Sequence, residues 1–343
     1  MNQNTLQNQL SLLEFQSNAK TDQVIEIYST DIEELTRVQD NNLDLVYIRP
    51  KINDFRRINQ YFITVNQKLK NKGYLVCQCE TLTQRNNRLK IKYGKFYVVY
   101  KPLDFVYKRV IPKLTGIKKI YFEISDGKNR VLSKAEVLGR LYYCGFELVK
   151  MDEIDNRLHL IMKKTKPPCN DPQPSYGPLF KMKRVGKDGN IIHTFKFRTM
   201  HPYSEYLRDY MLQQNGYSLT GDGIGKIDND FRVTEWGKFL RKNWLDELPQ
   251  FINIFRGELK LVGVRPISSS FVKEYPEDFL KDRLQYKPGL FPPYAAHIHK
   301  SVAEYIESEK KYLAAYKKSP IVTDIKYFLW IVFNILSHKI RSQ

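Results

Sequence analysis

Asp246 and Glu247 stand side by side in the run Leu245-Asp246-Glu247-Leu248-Pro249-Gln250. Consecutive residues of a helix point to different targets, so two adjacent acids can hold two different jobs. One carboxylate can attack as a covalent nucleophile while the other holds a metal ion. Proline is tolerated in a first helical turn because its missing N–H would be unpaired there anyway. Leu248, Phe251, Ile252 and Phe255 then recur at helical spacing, and Gly257 can end the run. The pattern predicts a helix opening at Pro249, with the two acids near the positive end of its dipole, where carboxylates stay ionised. Taken alone, the pair also reads as an acidic helix start.

The elements that must position such a pair are limited by composition. A chain of 343 residues is long for one compact core, so two domains are expected. Lys and Arg number 56 against 37 Asp and Glu, a formal charge of +19, which calls for an anionic partner. Nucleic acid, an acidic lipid surface and phosphorylated substrates all qualify. The 23 Tyr and 19 Phe suit an RNA-binding surface or a lipid interface equally. Cys77, Cys79, Cys144 and Cys169 show no metal-ligand spacing and predict no disulfide framework. Met1 to Lys20 is polar and lacks the apolar core of a signal peptide. Tyr327 to Leu336, the most apolar stretch, is too short to span a bilayer, so no transmembrane helix is expected.

A break is expected at 163–174, where Lys163-Lys164-Thr165-Lys166-Pro167-Pro168 and Pro172 and Pro174 read as a linker. Before it, 1–162 alternates strand-like and helix-like pieces. Val24–Tyr28 and Leu43–Ile48 predict buried strands, Asp54–Lys70 a helix, Gly73–Glu80 a strand and Val131–Cys144 a helix. Phe146–Lys150 with Leu158–Lys163 predicts a closing hairpin. The stretch from Leu43-Asp44-Leu45-Val46-Tyr47-Ile48 to Lys72-Gly73-Tyr74-Leu75-Val76 resembles the second half of a class I methyltransferase domain. The resemblance implies a truncated three-layer α/β unit. It departs from that family where function is decided, because the first glycine of the chain is Gly73 and no glycine-rich cofactor loop can precede it. The domain therefore reads as structural or regulatory.

Within it, residues 90–119 carry nine Lys or Arg against one acid, Asp104, with Tyr93, Phe96, Tyr97, Tyr100, Phe105 and Tyr107 interleaved. Pro102 and Pro112 limit any long helix. Rings and lysine stems mixed at this density favour the headgroup region of an anionic bilayer. A solvated basic insertion and an RNA-binding segment are the competing readings.

After the linker, five ordered stretches follow. They are Ser175-Tyr176-Gly177-Pro178-Leu179-Phe180 leading into a turn at Arg184-Val185-Gly186-Lys187-Asp188-Gly189, then Phe195-Lys196-Phe197-Arg198-Thr199-Met200. Next come Asp228-Asn229-Asp230-Phe231-Arg232-Val233-Thr234 ahead of a helix capped by Thr234, the acidic pair, and Gly257 to Pro266 with Lys287-Pro288-Gly289-Leu290. Together they resemble the bacterial sugar transferases, the monotopic polyprenyl-phosphate phosphoglycosyl transferases, over 175–343. Pro292-Pro293-Tyr294 and Ser308-Glu309-Lys310-Lys311-Tyr312-Leu313 make it most similar to Bacteroidetes-type versions.

The resemblance implies an α+β domain, helices over a small sheet, that moves a sugar-1-phosphate from a UDP-sugar to polyprenyl (undecaprenyl) phosphate. Such chemistry initiates capsule, exopolysaccharide or O-antigen synthesis. It implies Asp246 as nucleophile, forming a phosphosugar-aspartyl intermediate, and Glu247 as the acid associated with Mg²⁺. Phosphoryl transfer is mostly positioning and electrostatics, so cations must accompany the acids. Arg265 fits best, at the end of a strand, with Arg198, Lys196 and Arg241 as further phosphate-binding residues, while Arg184 reads as a turn residue. His201, His297 and His299 read as core or loop residues. Val264 stands where most of the family has Pro. The family's re-entrant membrane helix has no counterpart, since Leu158–Pro174 is short, charged and proline-rich.

Peripheral attachment at the cytoplasmic face of the bacterial inner membrane is therefore expected through 90–119 and a C-terminal helix presenting Ile325, Phe328, Leu329, Val332, Phe333 and Leu336. Expected partners are the UDP-sugar, the polyprenyl phosphate, an anionic membrane surface and polysaccharide-assembly proteins, with no nucleic acid. The alternative is a catalytically silent scaffold or regulator of a glycan assembly complex.

Overall fold

The computed structural model describes residues 23–114, 116–170, 177–214, 230–269, 271–296 and 301–340. The chain divides into two compact units, Met1–Asp171 and Pro172–Gln343. The histidines 297 and 299, Asp228-Asn229, Ser175-Tyr176 and the N-terminal twenty residues lie outside the described residues. No helix among the described residues is long and apolar enough to cross a membrane.

The first unit is a mixed α/β structure in the order β1 (Val24–Ile27), α1 (Glu33–Thr36), β2 (Leu43–Lys51), α2 (Ile58–Lys68), β3 (Leu69–Cys79), α3 (Leu82–Tyr93), α4 (Tyr97–Phe105), α5 (Ile117–Ser125), α6 (Lys134–Tyr143), β4 (Phe146–Ile154) and β5 (Arg157–Lys164). The sheet order is β1-β2-β3-β5-β4. The first three strands are parallel, and β5 runs antiparallel to both β3 and β4. Period-two alternation gives β2 and β3 two faces. Val46, Ile48, Leu75 and Cys77 are wholly buried, while Leu45, Tyr47, Val76 and Ile161 form a second cluster with Tyr74 and Val149 packed against it. That second cluster is built from residues of the sheet itself.

Two caps start helices as the residue types dictate. Thr81 and Gln84 form a capping box at α3, and the Ser133 hydroxyl accepts from the Glu136 backbone N–H at α6.

The basic insertion is helical but in short pieces, as its two prolines lead one to expect. Pro102 lies inside α4, and the chain continues through a π-helical turn, Val106–Val110, and a 3₁₀ turn, Ile111–Lys113. A π turn accommodates a backbone group that cannot make the regular i→i−4 bond. Its single acid, Asp104, accepts two bonds from Arg85 at 2.6 and 2.7 Å. Ile91, Phe96, Val98, Val99, Leu103, Ile117, Ile120 and Ile124 are all exposed.

The second unit contains β6 (Leu179–Val185), β7 (Ile191–Phe197), α7 (Arg208–Gln214), α8 (Glu235–Lys242), a 3₁₀ helix (Leu245–Gln250), α9 (Phe251–Phe255), β8 (Lys260–Val262), α10 (Glu277–Leu284), β9 (Gly289–Phe291), α11 (Val302–Lys318) and α12 (Pro320–Leu336). One small sheet was expected; two two-stranded sheets are found, β6–β7 antiparallel and β8–β9 parallel. The Val185 N–H donates to Ile267 O at 2.8 Å, tying the hairpin to the chain beyond β8. The predicted face of α12 splits, with Phe328 packed against the cluster of Val262, Val264, Tyr312 and Leu313, and with Ile325, Leu329, Phe333 and Leu336 exposed.

Candidate active site

The helix expected to open at Pro249 is displaced toward the N-terminus. A 3₁₀ helix, Leu245–Gln250, already contains both acids and Pro249, and α9 adds only Phe251–Phe255, ended by Gly257 at φ 73°. Its facing is also inverted. The polar residues Asp246 (1% exposed), Glu247 (8%), Gln250 and Asn253 are buried, while Leu248 (47%), Phe251, Ile252 and Phe255 (88%) are exposed. The helical period was legible, but it marks an outward apolar face.

Three contacts fix the acid-bearing segment. The Asn253 side chain accepts the Phe195 backbone N–H at 3.2 Å and donates to the His193 carbonyl at 2.7 Å. It therefore pairs with β7 as another strand would, setting Lys196 level with Glu247. At the other end, the Thr234 hydroxyl caps α8 by accepting from the Gly237 N–H at 2.8 Å. A Cβ on Gly237 would lie 2.1 Å from the Thr199 carbonyl oxygen, so only glycine lets α8 seat against the Arg198-Thr199 strand end. Between them, Trp244 takes a left-handed conformation, φ 58°. A bulky residue there stores strain of about 1–3 kcal/mol, held by packing against Ala295, Ala296 and Ile331.

Glu247 is the best-defined member of the pair. Lys196 Nζ donates to its Oε1 at 2.5 Å and Gln250 Nε2 to its Oε2 at 2.7 Å. The Lys196 and Glu247 side chains are both largely withdrawn from water, so their attraction is screened far less than at a surface. Arg265, three residues beyond β8, stacks over the Tyr294 ring at 5.3 Å. Burial alone would lower its guanidinium, but Tyr294, Tyr305 and Glu247 outweigh that and raise it, so it is a fixed cation. Burial, reinforced by Glu247 and Asp246 and opposed by Arg265, pushes the Tyr294 phenol up to about 12. Tyr294 is thus a permanent O–H within the field of both acids.

Arg184 is a correction. It lies in β6, ahead of the turn, and its guanidinium is lowered by burial and by Arg265 while Glu247 opposes the shift. Three cations, Lys196, Arg184 and Arg265, therefore share the field of Glu247. The other two expected phosphate ligands have different contacts. Arg198 donates to the Gly177 carbonyl at 3.0 Å and lies over the Phe180 ring, and Arg241 donates to the Thr199 hydroxyl at 2.9 Å. They brace the end of β7. His201 is a loop residue whose backbone N–H donates to Arg232 O.

Tyr294 and Asn253 were not singled out from the sequence as site residues. Tyr294 follows two prolines and Asn253 lies on a short helix, and neither position carries a spacing signal. Among the described residues no cluster of three or more His, Cys, Asp or Glu could cage a metal. Mg²⁺ characteristically uses one or two carboxylates with substrate phosphates and waters instead. The Glu247 carboxylate, whose two oxygens each accept one bond and keep a further lone pair, fits that pattern.

Residues 172–338 match the family model described as bacterial sugar transferase. Over 154 residues the chain is 34% identical to the galactosyl transferase CpsE of Streptococcus agalactiae, covering 45% of this chain and 33% of that one. It is 37% identical over 116 residues to the undecaprenyl-phosphate galactose phosphotransferase of Salmonella typhimurium, covering 33% and 24%. The match thus spans a third or less of these curated relatives' length. Among solved structures, an S-adenosylmethionine dependent methyltransferase from Mesorhizobium loti aligns with 37% of this chain and 63% of its own at 12% identity, with a TM-score of 0.23, too slight a likeness to argue from. The second unit, over residues 172–338, thus matches the bacterial sugar transferase family.

Proposed function

We propose that the second unit is a phosphoglycosyl transferase that moves a sugar-1-phosphate from a UDP-sugar to polyprenyl (undecaprenyl) phosphate, initiating surface-polysaccharide synthesis. A carboxylate oxygen of Asp246 attacks the β-phosphorus of the donor. The bond from that phosphorus to the bridging oxygen breaks, and UMP leaves with the electron pair. A phosphate oxygen of the lipid acceptor then attacks the same phosphorus, expelling Asp246 and leaving a lipid diphosphosugar. The observation that carries this reading is the Lys196–Glu247 ion pair, largely withdrawn from water, beside the buried Asp246.

Phosphoryl transfer needs preorganised positive charge more than acid–base chemistry. Lys196 brings a positive charge to the acid pair, and the Arg265 guanidinium, raised despite its burial, adds a fixed cation in this unit for the donor's diphosphate. Lys196 and Gln250 hold Glu247 in place, and Tyr294 offers a proton-bearing hydroxyl that does not ionise at working pH. Glu247, with Asp246 beside it, would hold Mg²⁺, which when bound supplies further neutralisation of the diphosphate. Peripheral attachment at the cytoplasmic face of the inner membrane is proposed through the insertion of the first unit, whose exposed apolar residues and cations suit an anionic bilayer.

The test is UMP release from a panel of UDP-sugars with Mg²⁺ and undecaprenyl phosphate, comparing wild type with Asp246→Asn. Release confined to the wild type is expected. No release from any donor would instead favour the silent scaffold, and release surviving the substitution would remove Asp246 from the nucleophile's role.

A further inference from the structure

The tyrosines packed around Glu309 and β8 put their hydroxyls to use. Tyr275 and Tyr305 donate to the Glu309 carboxylate at 3.0 and 3.5 Å, and Tyr312 donates to Asp324 at 2.6 Å. Tyr294 does not follow them. Among the described residues its contacts are ring contacts and apolar packing, and its hydroxyl has neither an acceptor nor a donor. A phenol set among packed rings usually finds a partner. Phenylalanine would serve the packing equally, so the fold does not account for the oxygen.

The ring that carries this hydroxyl is fixed. Pro292 and Pro293 set the backbone ahead of it, and Tyr294 lies in a 3₁₀ turn, Pro293–Ala296. The Asn334 side chain donates to the Ala295 and Ala296 carbonyls at 3.1 and 2.8 Å, tying that turn to α12. The Tyr305 ring centroid lies 5.2 Å from that of Tyr294, and the Arg265 guanidinium stacks 5.3 Å from it. The same packing brings Tyr294 to the acids. It packs on the cluster that contains Trp244, which stands two residues before Asp246. Phe291 lines one cavity with Glu247 and stacks on Trp244 at 6.4 Å. Asp246, Glu247 and Arg265 all act on the Tyr294 phenol through their charge. A rigid neutral donor in that setting suits an anionic oxygen, to which hydrogen bonds are strongest.

We propose that the Tyr294 hydroxyl contacts the substrate, donating a hydrogen bond to a non-bridging oxygen of the β-phosphate of the UDP-sugar. The proposal rests on the donor reading above and supplies the idle hydroxyl with its acceptor. In that reading the β-phosphorus is the atom Asp246 attacks, and its non-bridging oxygens carry charge throughout the transfer. A donor already aimed at them needs no reorganisation as the bond to UMP breaks. The hydroxyl keeps its proton, so no atom or charge passes through Tyr294.

The test is calorimetric titration of the full chain, wild type and Tyr294→Phe, with UDP and separately with UMP, both with Mg²⁺ present. Tyr294→Phe keeps the ring and its packing, so the unfolding midpoint should not move. UDP affinity should fall about tenfold, the scale of one hydrogen bond to a charged group. UMP has no β-phosphate, and its affinity should be unaffected. A fall in UDP affinity of less than about threefold, or equal falls for UDP and UMP, would overturn the proposal. The two readings fail separately. UMP release from a UDP-sugar, with UDP affinity indifferent to Tyr294→Phe, removes the contact and keeps the transferase. A loss confined to UDP, with no UMP release from any donor, keeps the contact and removes the transferase. A wild type that binds no UDP removes both.

Discussion

The Glu309 carboxylate accepts the backbone N–H of Arg265 at 2.9 Å, so the position of the site's fixed cation is set from α11. The same carboxylate takes the Arg283 guanidinium at 2.8 Å and the Tyr275 hydroxyl at 3.0 Å. Arg283 in turn donates to the Arg265 carbonyl. Both backbone polar groups of Arg265 are thereby held by one ion pair in which both side chains are essentially inaccessible to water. The arrangement fixes the backbone by side-chain bonds one residue beyond Val264, whose carbonyl accepts the Gly289 N–H at 2.8 Å.

Removing one partner of that pair leaves the other charged and buried, which costs about 3–5 kcal/mol. Glu309→Ala should therefore lower the unfolding free energy by about that amount in denaturant titrations of the full chain. A loss below about 1 kcal/mol would show that the pair does not hold this part of the structure. Glu309→Gln, which keeps an acceptor for the Arg265 N–H, should lose less.

Lys196→Met should reduce kcat/KM for UMP release by about 10²–10³-fold, the scale of one preorganised charge donor. Lys196→Arg should recover part of it, since the positive charge beside Glu247 returns. Steady-state rates at saturating Mg²⁺ check this, and an unchanged kcat/KM in Lys196→Met would exclude Lys196 from the machinery.

Replacing Lys90, Lys92, Lys95 and Lys101 by Gln removes four cations from the insertion. At about 1 kcal/mol each near an anionic surface, their loss should weaken partition onto phosphatidylserine-containing vesicles by about 10³-fold. Flotation at low and high salt measures it. Partition insensitive to both the substitutions and the salt would place membrane contact elsewhere.

His159, on β5, gives the first unit a pH dependence. Burial, with Arg157 adding to it, lowers its imidazole below the ordinary range. Above about pH 7 the ring is neutral whether the chain is folded or not. As pH falls through about 6.5, the unfolded chain gains a proton that the folded one resists, so stability drops on the acid side. His159→Gln should flatten the unfolding free energy between about pH 7 and pH 5, read by denaturant titration. An unchanged slope would contradict the assignment.

Much of this was legible before the fold was seen, and the exceptions share a cause. The apolar runs of β2, β3 and α6, the cap at Thr234, and the acid pair itself are local signals. Arg184, Tyr294, Asn253 and Glu309 act across tens of residues, so neither spacing nor periodicity announces them. The segment carrying Leu248, Phe251, Ile252 and Phe255 shows the limit from another side. A helical period says that one face is apolar, and the three-dimensional setting decides whether it turns to a core or outward.

The central claim is tested most directly by intact-mass spectrometry of the full chain, acid-quenched after mixing with a UDP-sugar and Mg²⁺ and without acceptor. The account predicts a mass increase of one sugar-phosphate, mapped by peptide analysis to the Leu245–Gln250 segment, absent in Asp246→Asn, and removed when polyprenyl phosphate is added. UMP and lipid product formed at full rate with no adduct on Asp246 would contradict it, and transfer would then pass directly from donor to acceptor.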